Sequence, residues 1–120
     1  MSAPAWIAVG LLGGLAAGGR FLLDCEVAAR WPSRFPRGIL VVNLLGALAL
    51  GIVAGAGLHG AALTIVAGGA IGSFTTFSTW ILDSHRLQRG GQLDLALLNI
   101  GLSVLAGFAA VTLGHWLGGL

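Results

Sequence analysis

Charge is scarce in this sequence: only 8% of its 120 residues are Asp, Glu, Lys or Arg, and it has neither lysine nor tyrosine. A soluble domain carries about a quarter charged residues, most of them at its surface. Here 57% of the residues are hydrophobic and the mean hydropathy is +0.96. The chain has too little polar material to coat a water-soluble globule, and we therefore predict that it lies in a membrane, surrounded by lipid.

Cysteine is almost absent, and the charged residues do not cluster. The single cysteine, Cys25, cannot form an intramolecular disulfide. The six basic residues are arginines scattered through the flanking segments, so they form no contiguous basic face of the kind that binds nucleic acid. Histidine occurs only at three distant positions, His59, His85 and His115. With no grouped base and nucleophile, we predict that the protein is not an enzyme.

Long apolar stretches fill most of the chain. Each is close to the roughly 20 residues that cross a hydrocarbon core of about 30 Å. In lipid the backbone must satisfy its own hydrogen bonds, and the alternating pattern of a barrel strand is absent, so these stretches are predicted to be helices. We expect an all-α membrane protein with a single domain over residues 1–120. The predicted transmembrane helices 1 to 4 cover about 4–23, 38–58, 60–82 and 95–119.

The segments between the helices and the glycines within them give further expectations. Residues 24–37 are polar, with Pro32 and Pro36 preventing one continuous helix, and we expect Asp24 and Glu26 in this loop. Small residues four apart let membrane helices approach closely, which predicts a tight bundle or oligomer. The glycines with this spacing are Gly10, Gly14 and Gly18, and the pairs Gly51/Gly55, Gly68/Gly72 and Gly114/Gly118.

The middle of helix 3 has an unusual composition over residues 72–79. Gly72 and Ser73 weaken the helix, and hydroxyl side chains can replace broken backbone bonds. A locally unwound helix would free carbonyl groups to bind a cation; the alternative is a Ser/Thr-rich kink packed against its neighbours. Phe77 and Trp80 share one face, and the positive edge of an aromatic ring can meet a small anion without trapping it.

Four other polar residues lie within or beside the predicted helices, and each has two interpretations. Asn43 forms either an interhelical hydrogen bond or part of a polar pathway. Asn99 and Ser103, four apart in helix 4, either line a polar track or bond to carbonyls of their own helix. Arg20, near the end of helix 1, either extends to the interface or attracts anions at a vestibule.

Three blocks of the sequence resemble the Fluc (CrcB) family of fluoride channels. The blocks are 13–21, which holds the Gly-Gly and Gly-Arg-Phe elements, 38–46 (GILVVNLLG) and 72–79 (GSFTTFST). The third is the most specific, and with the four helices the resemblance covers essentially the whole chain. It implies a fluoride-specific channel that lowers cytoplasmic fluoride by passive export through the cell membrane.

The resemblance also implies an assembly and a set of sites. The family forms an antiparallel dimer with two fluoride pores between the subunits and a structural sodium ion at its centre. The implied sodium ligands are the carbonyls of Gly72 and Thr75, and Asn43 would donate hydrogen bonds in the pore. The remaining pathway residues would be Phe77, Trp80, Ser78, Thr79 and, from helix 4, Ser103, with Arg20 at the vestibule.

Two positions depart from the family pattern. Trp80 stands where the family usually has phenylalanine; the indole keeps an aromatic edge and adds an N–H donor. Phe21 stands where the family has tyrosine, so any role of that hydroxyl does not transfer to this chain.

Two other functions fit a small four-helix membrane protein. A multidrug exporter of this size needs a carboxylate embedded in helix 1, and residues 4–23 contain none. A subunit that only assists assembly, without transport, is the second alternative. The channel is the leading interpretation, and these two functions remain its alternatives.

The arginines are distributed unevenly between the two ends of the predicted bundle. With four helices, the segments 24–37 and 83–92 lie on the same side, and the other side has no basic residue; the arginines of the first side are Arg20, Arg30, Arg34, Arg37, Arg86 and Arg89. The positive-inside rule then places these segments in the cytoplasm and both termini outside. This bias predicts a fixed orientation and an antiparallel sister subunit, whereas a homodimer of dual topology is the alternative.

Overall fold

The computed structural model describes residues 1–120 and is entirely helical. Four helices are long and apolar enough to cross a membrane: span 1 (Ala3–Arg30), span 2 (Arg37–Gly55), span 3 (Gly60–Arg89) and span 4 (Leu93–Gly118). The predicted all-α, multi-pass membrane fold is confirmed at this level.

Span 1 is longer than its apolar stretch. The helix continues beyond residue 23 to Arg30, so Asp24 and Glu26 lie in the helix and the expectation that they belong to a loop was wrong. Pro4 lies in the first helical turn, where proline is tolerated, and the next proline is Pro32; an ion pair between Glu26 and Arg30 joins adjacent turns. The helix ends where Pro32 disfavours helical backbone at the residue before it.

Short connections bring two of the arginine-bearing segments to the same end of the bundle. Residues 31–36 join spans 1 and 2, and residues 90–92 join spans 3 and 4. Arg34 and Pro36 from the first connection and Asp83, Arg86 and Gln92 around the second line one cavity of about 500 Å³. Both connections therefore lie at one end of the bundle, as expected for four helices of alternating direction.

Span 2 packs most closely on span 4, and glycine makes this approach possible. A Cβ atom added to Gly51 would overlap the Val111 carbonyl, and one added to Gly114 would overlap the Leu48 carbonyl. One turn further along, Gly55 and Gly118 meet the partner backbone in the same way. The predicted packing of small residues four apart is confirmed for these two pairs.

The glycines of span 1 divide into two faces. A Cβ added to Gly13 would lie 2.9 Å from the Ser73 Oγ, so this face packs on span 3. A Cβ added to any residue of the other face would meet nothing within 4 Å; its members are Gly10, Gly14 and Gly18. That second face is not used for packing within the chain.

Span 3 changes its helical geometry along its length. One α-helical turn at Gly60–Leu63 leads into a π-helical stretch at Thr64–Ile71, and a further α-helical turn follows at Gly72–Phe74. The span bends at residues 75–77 and continues as an α-helix over Ser78–Arg89. π-Helical stretches are rare, and those that occur are often found at functional sites. The bend that follows this stretch is therefore the candidate functional site.

We expect Gly114→Ala to destabilise the fold by about 1–3 kcal/mol, because its methyl group would push span 4 away from the span 2 backbone. Gly101→Ala is the matched control in the same span, since a Cβ there meets nothing within 4 Å. The melting temperature of each variant in detergent, monitored as the loss of the monodisperse peak on heating, measures the two effects. Equal melting temperatures for the two variants would contradict this account of the contact.

Candidate functional site: the bend in span 3 and its cavity

The bend interrupts the hydrogen bonding of span 3. Thr75 has extended backbone, with φ −79° and ψ 160°, and its own N–H donates to the Ile71 carbonyl at 3.0 Å. The carbonyls of Gly72 and Thr75 accept no hydrogen bond within the chain. Unpaired carbonyls are costly in the middle of a membrane helix, where there is no bulk water to satisfy them. The bend therefore leaves backbone oxygens available to a ligand.

Asn43 of span 2 satisfies both backbone groups of Thr76. Its Nδ2 donates to the Thr76 carbonyl at 2.9 Å, and its Oδ1 accepts from the Thr76 N–H at 2.8 Å. The side-chain amide thus replaces the peptide groups that a continuous helix would supply. Of the two interpretations of Asn43, the interhelical hydrogen bond is present, and the second hydrogen of its Nδ2 is not used by this pair.

The Thr76 side chain begins the helix that follows the bend. Its Oγ1 accepts from the Thr79 N–H at 3.2 Å and lies 3.1 Å from the Thr79 Oγ1, to which it donates. An N–H in the first turn has no partner inside its own helix, so this hydroxyl supplies one. Thr76 was not among the predicted site residues, although it lies three residues before Thr79, the spacing of a capping pair.

Gly46 allows the bend to lie against span 2. A Cβ atom on Gly46 would overlap the Cγ2 methyl of Thr75. Gly46 lies three residues after Asn43, on the same face of span 2. Span 2 therefore supports the bend at two adjacent points, through a hydrogen-bonded amide and a close contact that only glycine permits.

The two aromatic residues of the bend form an edge-to-face pair. The ring centroids of Phe77 and Trp80 lie 5.4 Å apart, with an angle of 73° between the ring planes. Phe77 is 71% exposed in the single chain, whereas Trp80 is half-buried. Aromatic rings favour this geometry because the positive edge of one meets the negative face of the other.

A cavity of about 440 Å³ opens beside the bend. It brings together six of the residues proposed from the sequence: Asn43, Gly72, Thr75, Phe77, Trp80 and Ser103. The Ser103 Oγ is buried and has no hydrogen-bond partner. No charged residue lines the cavity. It is therefore a neutral site, and its side-chain donors without a partner are the Ser103 hydroxyl and the second hydrogen of the Asn43 amide, because Thr75, Thr76 and Trp80 already donate within the chain.

Three predicted residues lie outside this cavity. Ser78 is exposed, and Thr79 is half-buried and bonded to Thr76. Arg20 is half-buried in span 1, with its Nε buried and lacking a hydrogen-bond partner. Most of the predicted site residues therefore lie at the bend or in its cavity, whereas Arg20 lies in span 1, outside the cavity.

Comparison with known proteins identifies the family. Residues 7–115 match the model of the CrcB-like proteins, described as Camphor Resistance (CrcB). This chain belongs to the CrcB family. Its CrcB relatives include a Mycobacterium bovis protein named "Fluoride-specific ion channel FluC 2", which is 46% identical over 112 residues, covering 93% of this chain and 89% of the relative. A Hydrogenovibrio crunogenus protein named "Fluoride-specific ion channel FluC" is 41% identical over 119 residues, with coverage of 93% and 89%.

We expect Gly46→Ala to disturb the bend through its overlap with the Thr75 methyl and to destabilise the protein by about 1–3 kcal/mol. Thr75→Ser removes that methyl and retains the hydroxyl, which donates to the Ile71 carbonyl at 3.2 Å. The double variant Gly46→Ala/Thr75→Ser should therefore recover most of the lost stability. Thermal unfolding of the single and double variants tests this pairing, and simple additivity would contradict it.

Proposed function

We propose that this chain is a subunit of a fluoride-specific channel that lets fluoride leave the cytoplasm passively through the plasma membrane. The carrying observation is the match to fluoride-specific ion channels along about nine-tenths of both chains. The relatives' names describe conduction and not catalysis, which agrees with a protein that is not an enzyme.

The cavity suits a small anion that must enter and leave quickly. A fixed cation would hold fluoride strongly, whereas conduction requires binding that is weak enough to release it. The edges of Phe77 and Trp80 offer diffuse positive charge, and the free hydrogen of the Asn43 amide and the unpaired Ser103 hydroxyl offer hydrogen bonds. Together these groups replace water around fluoride without trapping it.

A second subunit would complete the site, in the antiparallel arrangement with two pores. Phe77 is largely exposed in the single chain although it lies beside the cavity, and the glycine face of span 1 has no contact within the chain. Both features are expected of surfaces that a partner covers. The remaining pathway would run past Ser78, Thr79 and Ser103, with Arg20 attracting anions at a vestibule and lipid around the dimer.

A sodium ion would bind at the bend, on the dimer axis. Carbonyl oxygens are ligands that suit a hard monovalent cation, and those of Gly72 and Thr75 have no other partner in the chain. An isologous two-fold axis presents the same groups from both subunits. Two carbonyls from each chain would then give four oxygen ligands, and the bend would act as the break that this site needs.

We expect liposomes containing the purified protein, alone or with a sister subunit, to release fluoride and hardly any chloride. Phe77→Ile should lower fluoride release at least about tenfold, which corresponds to about 1.4 kcal/mol at the barrier, because it removes the aromatic edge and keeps apolar bulk. Phe108→Ile is the matched control, since Phe108 is 76% exposed on span 4 and does not line the cavity. Equal release of both halides, or of neither, would refute the proposed function.

The arginine distribution gives a separate expectation about pairing. Because the arginines flank one end of the bundle, C-terminal reporter fusions should give a signal only outside the cytoplasm. A fixed orientation would require a homologous sister of opposite charge bias to build the antiparallel dimer. Comparable cytoplasmic and external signals from this chain expressed alone would contradict the sister subunit and establish a dual-topology homodimer.

A further inference from the structure

Asn99 of span 4 is fully buried and forms hydrogen bonds to the part of span 3 that follows the bend. It is 1% exposed, and its Nδ2 donates to the Ser84 Oγ at 2.8 Å and reaches the Trp80 carbonyl at 3.5 Å. The Ser84 Oγ itself donates to the Trp80 carbonyl at 3.0 Å. The side chains of Asn99 and Ser84 thus converge on one backbone oxygen, in the first turn after the bend.

Span 3 also donates a hydrogen bond to span 4. The indole Nε1 of Trp80 donates to the backbone carbonyl of Asn99 at 3.3 Å. Trp80 is therefore attached to span 4 at two points, through its main-chain carbonyl and through its ring. A phenylalanine at position 80 could make only the first attachment.

This arrangement determines which donors face the cavity. The only N–H of the Trp80 ring is committed to span 4, so the ring contributes an edge to the cavity and no free donor. Its neighbour Phe77 meets it edge to face, so a shift of Trp80 would move both rings. Position and tilt of the aromatic pair thus depend on the span 4 contact.

We propose that Asn99 is a positioning residue that, together with Ser84, holds Trp80 and through it the aromatic pair in the wall of the conduction cavity. The proposal rests on the proposed function for its effect on transport, but its structural half is independent of which ion is conducted. Asn99 does not line the cavity and acts only through Trp80.

The indole N–H resonance of Trp80 tests the structural half in detergent. Uniform ¹⁵N labelling gives four indole signals, one for each tryptophan, and Trp80→Phe identifies the relevant one. We expect Asn99→Leu and Ser84→Ala to move this signal. Thr64→Val, which removes an equivalent hydroxyl-to-carbonyl bond at the far end of span 3, should leave it in place. An unmoved signal in both Asn99→Leu and Ser84→Ala would overturn the proposal.

Fluoride release at fewer than one channel per vesicle tests the transport half. The fraction of vesicles that release fluoride counts assembled channels, whereas the rate within those vesicles reports conduction per channel. We expect Asn99→Leu and Ser84→Ala to slow that rate about two- to tenfold, with the active fraction unchanged, because each removes two of the hydrogen bonds that join Asn99, Ser84 and the Trp80 carbonyl.

The outcomes separate positioning from stability and from the proposed function. A lower active fraction with an unchanged rate would show that Asn99 only supports folding, and it would overturn the proposal. If the unmodified protein released no fluoride, the proposed function would fail, while the indole signal would still decide whether Asn99 positions Trp80.

Discussion

The pair of hydrogen bonds between Asn43 and Thr76 is the interaction on which the site depends. A membrane helix that bends must find new partners for the backbone groups it releases, because lipid offers none. Asn43 supplies one donor and one acceptor, at 2.9 Å and 2.8 Å, and so makes Thr76 as well satisfied as a helical residue. The bend can then persist although several carbonyls around it accept no hydrogen bond, and two of these, Gly72 and Thr75, are the groups proposed to bind sodium.

The glycine contacts between spans 2 and 4 set the positions of Asn43 and Asn99 relative to span 3. Spans 2 and 4 approach until the backbone of each meets glycine in the other, which fixes their relative height in the bundle. Span 2 then presents Asn43 to the bend, and span 4 presents Asn99 to the turn that follows it. The half-buried amide of Asn43 and the fully buried amide of Asn99 thus contact span 3 at and after its bend, and each is bonded to backbone atoms of that span.

The sequence was informative about the membrane fold and less so about contacts across it. Apolar length predicted four spans, and glycine spacing predicted close packing at Gly51 and Gly55, since both signals are local and physically strong; that their partner is span 4 came only from the structure. The end of span 1 was misplaced because charged residues suggested a loop where only Pro32 stops the helix. The role of Asn99 could not be read from spacing within its own helix, because its partners are Trp80 and Ser84 in another span.

Trp80 shows how the structure accommodates a large aromatic ring that carries a donor. An indole brings an N–H into an apolar environment, where an unpaired donor is costly. Here the Asn99 carbonyl accepts it, so the larger ring gains an attachment that phenylalanine lacks. The indole donor is consequently unavailable to a ligand in the cavity, and the donors without a partner there belong to Asn43 and Ser103. Phe77 and Trp80 therefore line the cavity with aromatic surface and no fixed charge, and the one donor that the indole brings is paired within the chain.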